Sequence, residues 1–164
     1  MARYRHAGSC AYNSDVVDTS ELRDGDLELE LTEFGPNAIH KVPTYDFRMV
    51  HATTREALGG IRLRTVSTPH VVNYAGHIGY LVHPLHRGRH YAARSVRLLL
   101  PMAWRLGIDP LWITCDPENY ASQRTAQLAG AQFAGVVQVP ADCIIAQSGH
   151  PRKCRYRLGT AALS

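Results

Sequence analysis

The sequence predicts an α+β fold, in which helices flank one central mixed β-sheet. The chain has 164 residues, the size of one domain that buries about two-thirds of its unfolded surface. Its first half contains apolar–polar alternation of period two, which is typical of half-buried strands. Its second half alternates apolar strand segments with segments of helical periodicity, which adds strand–helix–strand units to the sheet. We therefore expect residues 1–164 to form a single domain.

The antiparallel part of the sheet is predicted from three segments. Residues 27–31 (LELEL) alternate strictly, and Gly-Pro-Asn at 35–37 ends that strand. Residues 45–50 and 61–66 alternate in the same way, so they are expected to pair as an antiparallel hairpin with a longer loop. Residues 1–26 show little apolar periodicity, and we expect a loose or short helical entry there.

A strand, a turn and a long helix follow. The strand ends at His83, where Pro84 closes it. Residues 88–106 have apolar positions at steps of three and four, with Pro101 expected to kink the helix and Gly107 to end it. The remaining elements are predicted as a strand at 111–115, a helix at 119–129, and strands at 133–139 and 154–158.

Composition limits the function classes. The longest apolar run, LLLPMAW, is too short to span a membrane. The four cysteines form no C-x-x-C pair and the first residues lack the apolar core of a secretion signal, so we expect reduced thiols and a cytoplasmic protein. The net charge of +4 is modest and its arginines form no continuous stripe, which favours a local anionic ligand over nucleic acid.

The most informative segment is the turn RGRHYA at residues 87–92, which opens the long helix. The first N–H groups of a helix lack intrahelical partners and carry partial positive charge, so a basic, glycine-containing turn there is suited to a phosphate. Arg87 and Arg89 add fixed charge. The turn could also be an ordinary strand–helix connection. The sequence lacks the G-x-G-x-x-G motif, which argues against a nicotinamide-binding fold.

The order of these segments resembles the GCN5-related N-acetyltransferase (GNAT) superfamily. The likeness rests on the strand GHIGYLVHP, the turn RGRHYA, the helix after it and the segments LWITCDPEN and ENYASQRTAQLAGAQF, and it covers roughly residues 42–158. His90 stands where the family has its central glycine, and Ala126 stands where the family has a tyrosine that acts as general acid. The resemblance implies a GNAT-like, mostly antiparallel sheet, with residues 1–26 as a loosely matched segment.

The resemblance also implies transfer of the acetyl group of acetyl-CoA, the co-substrate, to a primary amine of a small molecule. The amine would attack directly in a ternary complex, while N–H groups of the strand stabilise the developing oxyanion. An acetyltransferase of proteins or peptides and a non-catalytic acyl-CoA-binding module are the alternatives, and a homodimer is compatible with the sequence. The implied cofactor-binding residues are Leu81, Val82, Arg87, Gly88, Arg89, His90, Tyr91, Ala92, Asn119 and Ser122.

The attacking amine is protonated in water, so a residue has to accept its proton. We expect His77 in this role, because it lies ahead of the thioester position and imidazole is a suitable base; Tyr80 and Asp116 are reserves. A satisfied core histidine is the alternative for His77, and a helix cap is the alternative for Asn119. Direct attack requires no covalent nucleophile, so Cys115 is assigned no role.

Two further groups of basic residues are possible sites: three histidines near the turn and a basic run near the C-terminus. No metal site is expected from three histidines near the turn, because they lack a carboxylate or cysteine partner: His83, His86 and His90. A basic run near the C-terminus is expected at a solvated strand edge, or else near the 3′-phosphate of CoA or an acidic acceptor: Arg152, Lys153, Arg155 and Arg157.

Overall fold

The computed structural model describes residues 21–160, and within them eight strands form one sheet. The strands are β1 (Arg23–Asp24), β2 (Leu27–Pro36), β3 (Pro43–His51), β4 (Ala57–Arg64), β5 (Ile78–Val82), β6 (Leu111–Cys115), β7 (Gln132–Gln138) and β8 (Arg152–Leu158). The helices are α1 (Tyr91–Arg105), α2 (Tyr120–Leu128) and α3 (Ile144–Gln147). The strand order is β1-β2-β3-β4-β5-β6-β8-β7, and among these described strands only β5 and β6 are parallel, which confirms the mixed, mostly antiparallel sheet.

Strands β2, β3 and β4 form an antiparallel meander whose alternating side chains enter the core, as predicted. Leu29 and Met49, for example, are almost fully buried and lie opposite each other. β2 is longer than predicted and runs to Pro36, because a bulge between Leu31 and Glu33 shifts the register and pairing with β3 continues.

Two other features differ from the prediction. β4 begins at Ala57 and not at residue 61, since Gly59 and Gly60 pair with β5 although both residues disfavour strands. The expected irregular entry contains the two-residue strand β1, which pairs with the start of β2. Residues 1–20 of that entry lie outside the described residues.

Helix α1 covers the sheet with the apolar face that its periodicity predicts. Val96, Leu99 and Ala103 are fully buried in the core. Pro101 lies inside the helix, which nevertheless continues to Arg105, and Gly107 follows its end with a φ of 80°. Within residues 21–160 we find no helix that combines the length and the apolar character needed to cross a membrane.

Strand β8 corrects the prediction of a solvated basic edge. It lies inside the sheet between β6 and β7, so its backbone pairs on both sides. Its long side chains contact neighbouring elements: the Arg155 guanidinium stacks on the Trp112 ring at 3.9 Å and donates to the Val72 carbonyl. Arg155 thus packs within the fold, because its stem and planar head group lie on apolar surface.

The feature that positions the site is a split between β5 and β6. Among the described residues these strands pair at one register position, Ile78 with Ile113, and then diverge. Just before the paired position, Gly76 passes close to β6: its φ is 72°, and a Cβ there would lie 3.0 Å from the Thr114 nitrogen. Only glycine allows the chain to pass so close to β6 in this conformation. The carboxyl ends of both strands therefore border open space.

Candidate active site

A groove of about 430 Å³ lies on one side of the split and is here called the turn groove. It runs between the end of β5, the turn before α1 and the exposed face of α2. All the cofactor-binding residues predicted from the sequence line it except Arg89. Arg89 is exposed and approaches the Tyr91 hydroxyl instead.

The turn itself is shaped to present backbone N–H groups. Gly88 has a φ of 89°, and His90, the residue before α1, is left-handed with a φ of 60° and a ψ of 26°. The His90 side chain does not cap the helix, so the first N–H groups of α1 have no side-chain partner. His90 thus adopts the backbone conformation that a glycine would supply, at the strain cost of an L-residue there. The left-handed conformation at this position is thus present despite the missing glycine.

Strand β5 contributes a free edge to the turn groove. The Val82 carbonyl accepts from Arg87 Nε at 3.2 Å, and the next N–H, of His83, donates back to β4 at Leu58. Because the N–H and C=O of an extended residue point to one edge, the Val82 N–H faces the split, whereas Leu81 faces β4. The Leu81 side chain is 63% exposed and forms an apolar part of the groove wall. The backbone donor predicted near the thioester is therefore available at Val82 and not at Leu81.

Helix α2 forms the opposite wall. The Asn119 side chain caps it by accepting from the Ser122 N–H at 3.1 Å, so the capping interpretation of Asn119 is correct and its amide NH₂ stays near the groove. Arg124 also lines the groove, and sequence reasoning missed it. The signal was present, because residues 121, 124, 125 and 128 share one face of a helix.

A second space of about 430 Å³, here called the central cavity, lies on the other side of the split. It is bordered by the start of β5, the end of β6, α3 and the loop before β8. Tyr80, Asn119 and Ser122 line both the central cavity and the turn groove. The two spaces therefore meet at these three side chains, in the gap between β5 and β6.

Tyr80 lies at this junction with a neutral phenol. Its hydroxyl is 2.7 Å from the Ser122 hydroxyl and 3.0 Å from the Ser122 carbonyl, which accepts its proton. Burial raises the pKa of Tyr80 to about 12. The side chain is thus held in its protonated form, oriented across the split toward the first turn of α2. Ala126, at the position of the family's tyrosine, is fully buried one turn further on.

His77 is placed differently from what the predicted role requires. It is fully buried; its Nδ1 accepts from the Trp112 N–H at 2.9 Å, so Nε2 holds the proton and donates to the Ser67 hydroxyl at 3.0 Å. It does not line the central cavity. Burial, and then the charge of Arg64, lower the pKa of His77 to about 4. This geometry supports the alternative interpretation, a satisfied core histidine, and gives no support to His77 as the base.

The buried neutral state of His77 predicts a pH-dependent stability. The pKa of His77 in the folded protein lies below its unfolded value of about 6.5. The contribution of neutral His77 to the free energy of unfolding is therefore complete above pH 6.5 and is lost as the pH falls toward 4. The loss is at most about 3 kcal/mol. We expect His77→Asn, whose Oδ1 can still accept from Trp112, to be less stable at pH 7 but less sensitive to acid. Urea unfolding at pH 7 to 4.5 measures this, and parallel pH profiles for both proteins would contradict it.

Asp116 does lie in the central cavity, together with Lys153 of the basic run and with His150, which the sequence did not suggest. Its Oδ2 accepts from His150 Nδ1 at 2.5 Å, and its Oδ1 is 2.9 Å from Lys153 Nζ. Burial alone would raise the pKa of Asp116, but the hydrogen bonds from Lys153 and His150 outweigh it and leave the pKa below its usual value. The carboxylate is ionised, and it orients the His150 ring with Nε2 unbonded within the described part of the chain. This is the arrangement of a histidine base held by a carboxylate.

Cys115 lines the central cavity too, but its thiol is not activated. Burial raises the pKa of Cys115 to about 11. Nucleophilic cysteines need the thiolate, which a neighbouring cation or helix N-terminus stabilises. The geometry therefore agrees with the absence of a role for this cysteine.

Comparison with protein-family models identifies one match. Residues 18–132 match the model described as an acetyltransferase (GNAT) domain. This match covers more than half of the chain. A search of the curated proteins finds no significant match.

Solved structures with the same fold include three acetyltransferases. The GNAT-family acetyltransferase from Bacillus anthracis is 19% identical, with a TM-score of 0.55 over 70% of this chain and 65% of that one. The ribosomal L7/L12 α-N-protein acetyltransferase RimL, in complex with coenzyme A, is 18% identical, with a TM-score of 0.55 over 73% and 63%. AAC(6')-Ib, in complex with paromomycin and acetyl-CoA, is 14% identical, with a TM-score of 0.55 over 73% and 67%. The chain thus spans just under two thirds of the first two proteins, and at these identities the likeness shows the shared fold.

Proposed function

The chain belongs to the GNAT acetyltransferase family, and on that premise we propose that it transfers the acetyl group of acetyl-CoA to a primary amine of a small molecule, by direct attack in a ternary complex. One observation carries the proposal: the turn groove and the central cavity meet at Tyr80, Asn119 and Ser122. A donor in the groove and an acceptor in the cavity would come into contact at this junction.

The turn groove fits acetyl-CoA on three counts. The uncapped N–H groups of α1 suit a pyrophosphate, and Arg87 and Arg124 add charge on both walls. The open edge of β5 offers the Val82 N–H to an extended amide-bearing arm. The exposed Leu81 side chain provides apolar contact beside that edge.

Residues of the turn groove, the junction and the central cavity divide the chemical work. When bound, acetyl-CoA supplies an acetyl thioester, whose C–S bond breaks as the acceptor nitrogen bonds to the acetyl carbon. The Val82 N–H donates to the carbonyl oxygen, on which negative charge develops. Tyr80 turns its hydroxyl proton from the Ser122 carbonyl to the leaving sulfur, and His150 accepts the proton of the attacking amine at Nε2. Asp116 keeps the His150 ring oriented and stabilises the imidazolium that forms.

The size of the central cavity favours a small acceptor over a folded protein. Its volume of about 430 Å³ is bounded by α3 and by the loop that carries His150. Cavities of this volume enclose most of the surface of one small molecule. Direct attack is favoured over a covalent acetyl-enzyme, because the Cys115 thiol is protonated.

Calorimetric titration with acetyl-CoA tests the first half of the proposal. We expect binding that weakens with salt, and about 10-fold weaker binding for Arg124→Glu, since a charge-assisted hydrogen bond contributes about 1.5–3 kcal/mol. Arg23→Glu, the same change on β1 at the far edge of the sheet, should bind like the parent protein. Absence of acetyl-CoA binding, together with no acetyl-CoA-dependent thiol release with any amine, would contradict the proposed function.

A further inference from the structure

Arg64, at the end of β4, is a buried cation in the wall of the central cavity. Arg64 is 6% exposed, and its Nη1 donates to the carbonyls of Ala75 and Gly76 at 3.2 and 2.9 Å. Its Nε is buried and makes no hydrogen bond, and Nη2 has no bonded partner, within residues 21–160. Two of the three guanidinium nitrogens are thus unused.

No carboxylate of the described chain compensates this charge. Asp46, the acid that contributes to its electrostatics, is in an ion pair with Arg62, with 3.4 Å between Oδ1 and Nε. Burial, and then the charge of Arg62, lower the pKa of Arg64 to about 10, so the guanidinium stays charged at neutral pH. Burying a charge without a partner costs several kcal/mol, and the two carbonyl contacts offset only part of that cost.

The other ionisable groups of the cavity leave its net charge positive. Lys153 is neutralised by Asp116, to which it is paired at 2.9 Å. His40 also lines the cavity, and burial followed by the charge of Arg64 lowers its pKa to about 4, so it is neutral. Among Arg64, Lys153, Asp116 and His40, four described residues of the cavity wall, Arg64 is therefore the one full charge without a counter-charge. The exposed Ile39 and Ile144 add an apolar rim.

We infer that the acceptor is an amine that also carries a carboxylate, and that Arg64 binds this carboxylate through Nη2 inside the central cavity. The inference rests on the proposed function and names the class of acceptor for the same site. A planar guanidinium with free N–H donors matches a carboxylate in geometry as well as charge. The apolar rim favours an acceptor with a hydrocarbon portion.

A purely structural role for Arg64 explains less. Anchoring the chain at Ala75 and Gly76 accounts for Nη1 alone, and it requires neither the free Nη2 nor a place in the cavity wall. Gly79 agrees with this interpretation: a Cβ there would first meet the Arg62 side chain, 3.2 Å from its Cγ, and would lie 3.5 Å from Arg64 Nη2, so it would narrow the approach to the guanidinium. The side chain that glycine lacks leaves the guanidinium accessible from the cavity.

Matched pairs of amines test the inference. Leucine is compared with leucinamide and 3-methylbutylamine, and 6-aminohexanoate with hexylamine, by thiol release at saturating acetyl-CoA. Direct binding of leucine and 6-aminohexanoate is measured in parallel by calorimetry with desulfo-CoA present and absent. We expect at least one carboxylate-bearing amine to exceed its uncharged partners in kcat/KM by about 10- to 100-fold, the value of one charge-assisted contact.

Two variants assign the preference to Arg64. Arg64→Gln should raise KM for the carboxylate-bearing amine about 10- to 100-fold and leave the uncharged amines unchanged. Arg62→Gln, an equal charge change at a residue already paired with Asp46, should keep the preference. Gly79→Ala keeps the charge and places a methyl group beside Nη2, so it should weaken the preference even if Arg64→Gln fails to fold.

The outcomes separate this inference from the proposed function. Acetylation of amines with no preference for a carboxylate overturns the inference and leaves the acetyltransferase activity intact. Carboxylate binding that depends on Arg64 and Gly79, without acetyl-CoA binding, supports the anion site and contradicts the proposed function. Acetyl-CoA binding with neither turnover nor carboxylate binding overturns the inference.

Discussion

Replacing Tyr80 by phenylalanine is expected to lower kcat by about 100- to 1000-fold, with little change in the dissociation constant of acetyl-CoA. General acid catalysis contributes about 10²- to 10⁴-fold when the proton donor is correctly positioned. The Tyr80 hydroxyl lies at the junction of the two cavities, and burial raises its pKa to about 12, so it holds its proton at neutral pH. The substitution removes that proton and keeps the ring.

Steady-state kinetics with both substrates, together with calorimetry for acetyl-CoA, measure the effect. Tyr120→Phe is the matched control, because Tyr120 begins α2 beside the same cap but is 76% exposed and lines neither cavity. Its kinetics should equal those of the parent protein. If Tyr80→Phe kept full kcat, or lost only acetyl-CoA binding, Tyr80 would not be the proton donor.

Replacing His150 by glutamine is expected to lower kcat/KM for the amine by about 100-fold at pH 7. The reason is that Asp116 orients the ring at 2.5 Å, so the free Nε2 can take the amine proton. The loss of kcat/KM relative to the parent protein should become smaller as the pH rises, because a growing fraction of the amine is then unprotonated in solution. For an α-amino group this happens near pH 8. A pH–rate profile from 6 to 9.5 for both proteins measures the change.

Asp116→Asn and the double variant complete this experiment. Asp116 acts through His150, so Asp116→Asn should lower kcat/KM about 10-fold and add little in the His150→Gln background. His51→Asn, at the end of β3, keeps the acceptor for the Thr53 and Thr54 N–H groups and should leave the rate unchanged. A His150→Gln deficit that is constant with pH would argue against proton transfer to this imidazole.

Most of the fold could be predicted from local patterns. Alternation located β3 to within two residues, the apolar run LWITC coincides with β6, and the helical period located α1 with its end near Gly107. These signals depend on which side chains lie on the same face of a helix or strand, and the backbone geometry of that one element determines this. The errors lie where pairing between distant segments overrides local preference, as for Gly59 and Gly60 in β4 and for the basic strand β8.

Most residues of the turn groove could be predicted from the sequence, whereas fewer residues of the central cavity could. The turn at residues 87–92 and the cap at Asn119 are short motifs whose geometry is local, and both line the turn groove. His77 was assigned correctly to the region of β5, but burial and two hydrogen bonds occupy it. Its replacement, His150, comes from a polar loop without a motif, 34 residues from Asp116.

Local patterns in the sequence were enough to predict an α+β fold with a basic, glycine-containing turn at a helix N-terminus, because periodicity, glycine and capping residues act over a few neighbouring positions. Which side chains work together depends on contacts that form when the chain folds. Tyr80 meets Ser122 across 42 residues, and Arg64 meets Gly76 across a change of direction in the chain. Burial and partners that come together only on folding decide which groups stay charged, which stay neutral and which remain free to bind a substrate.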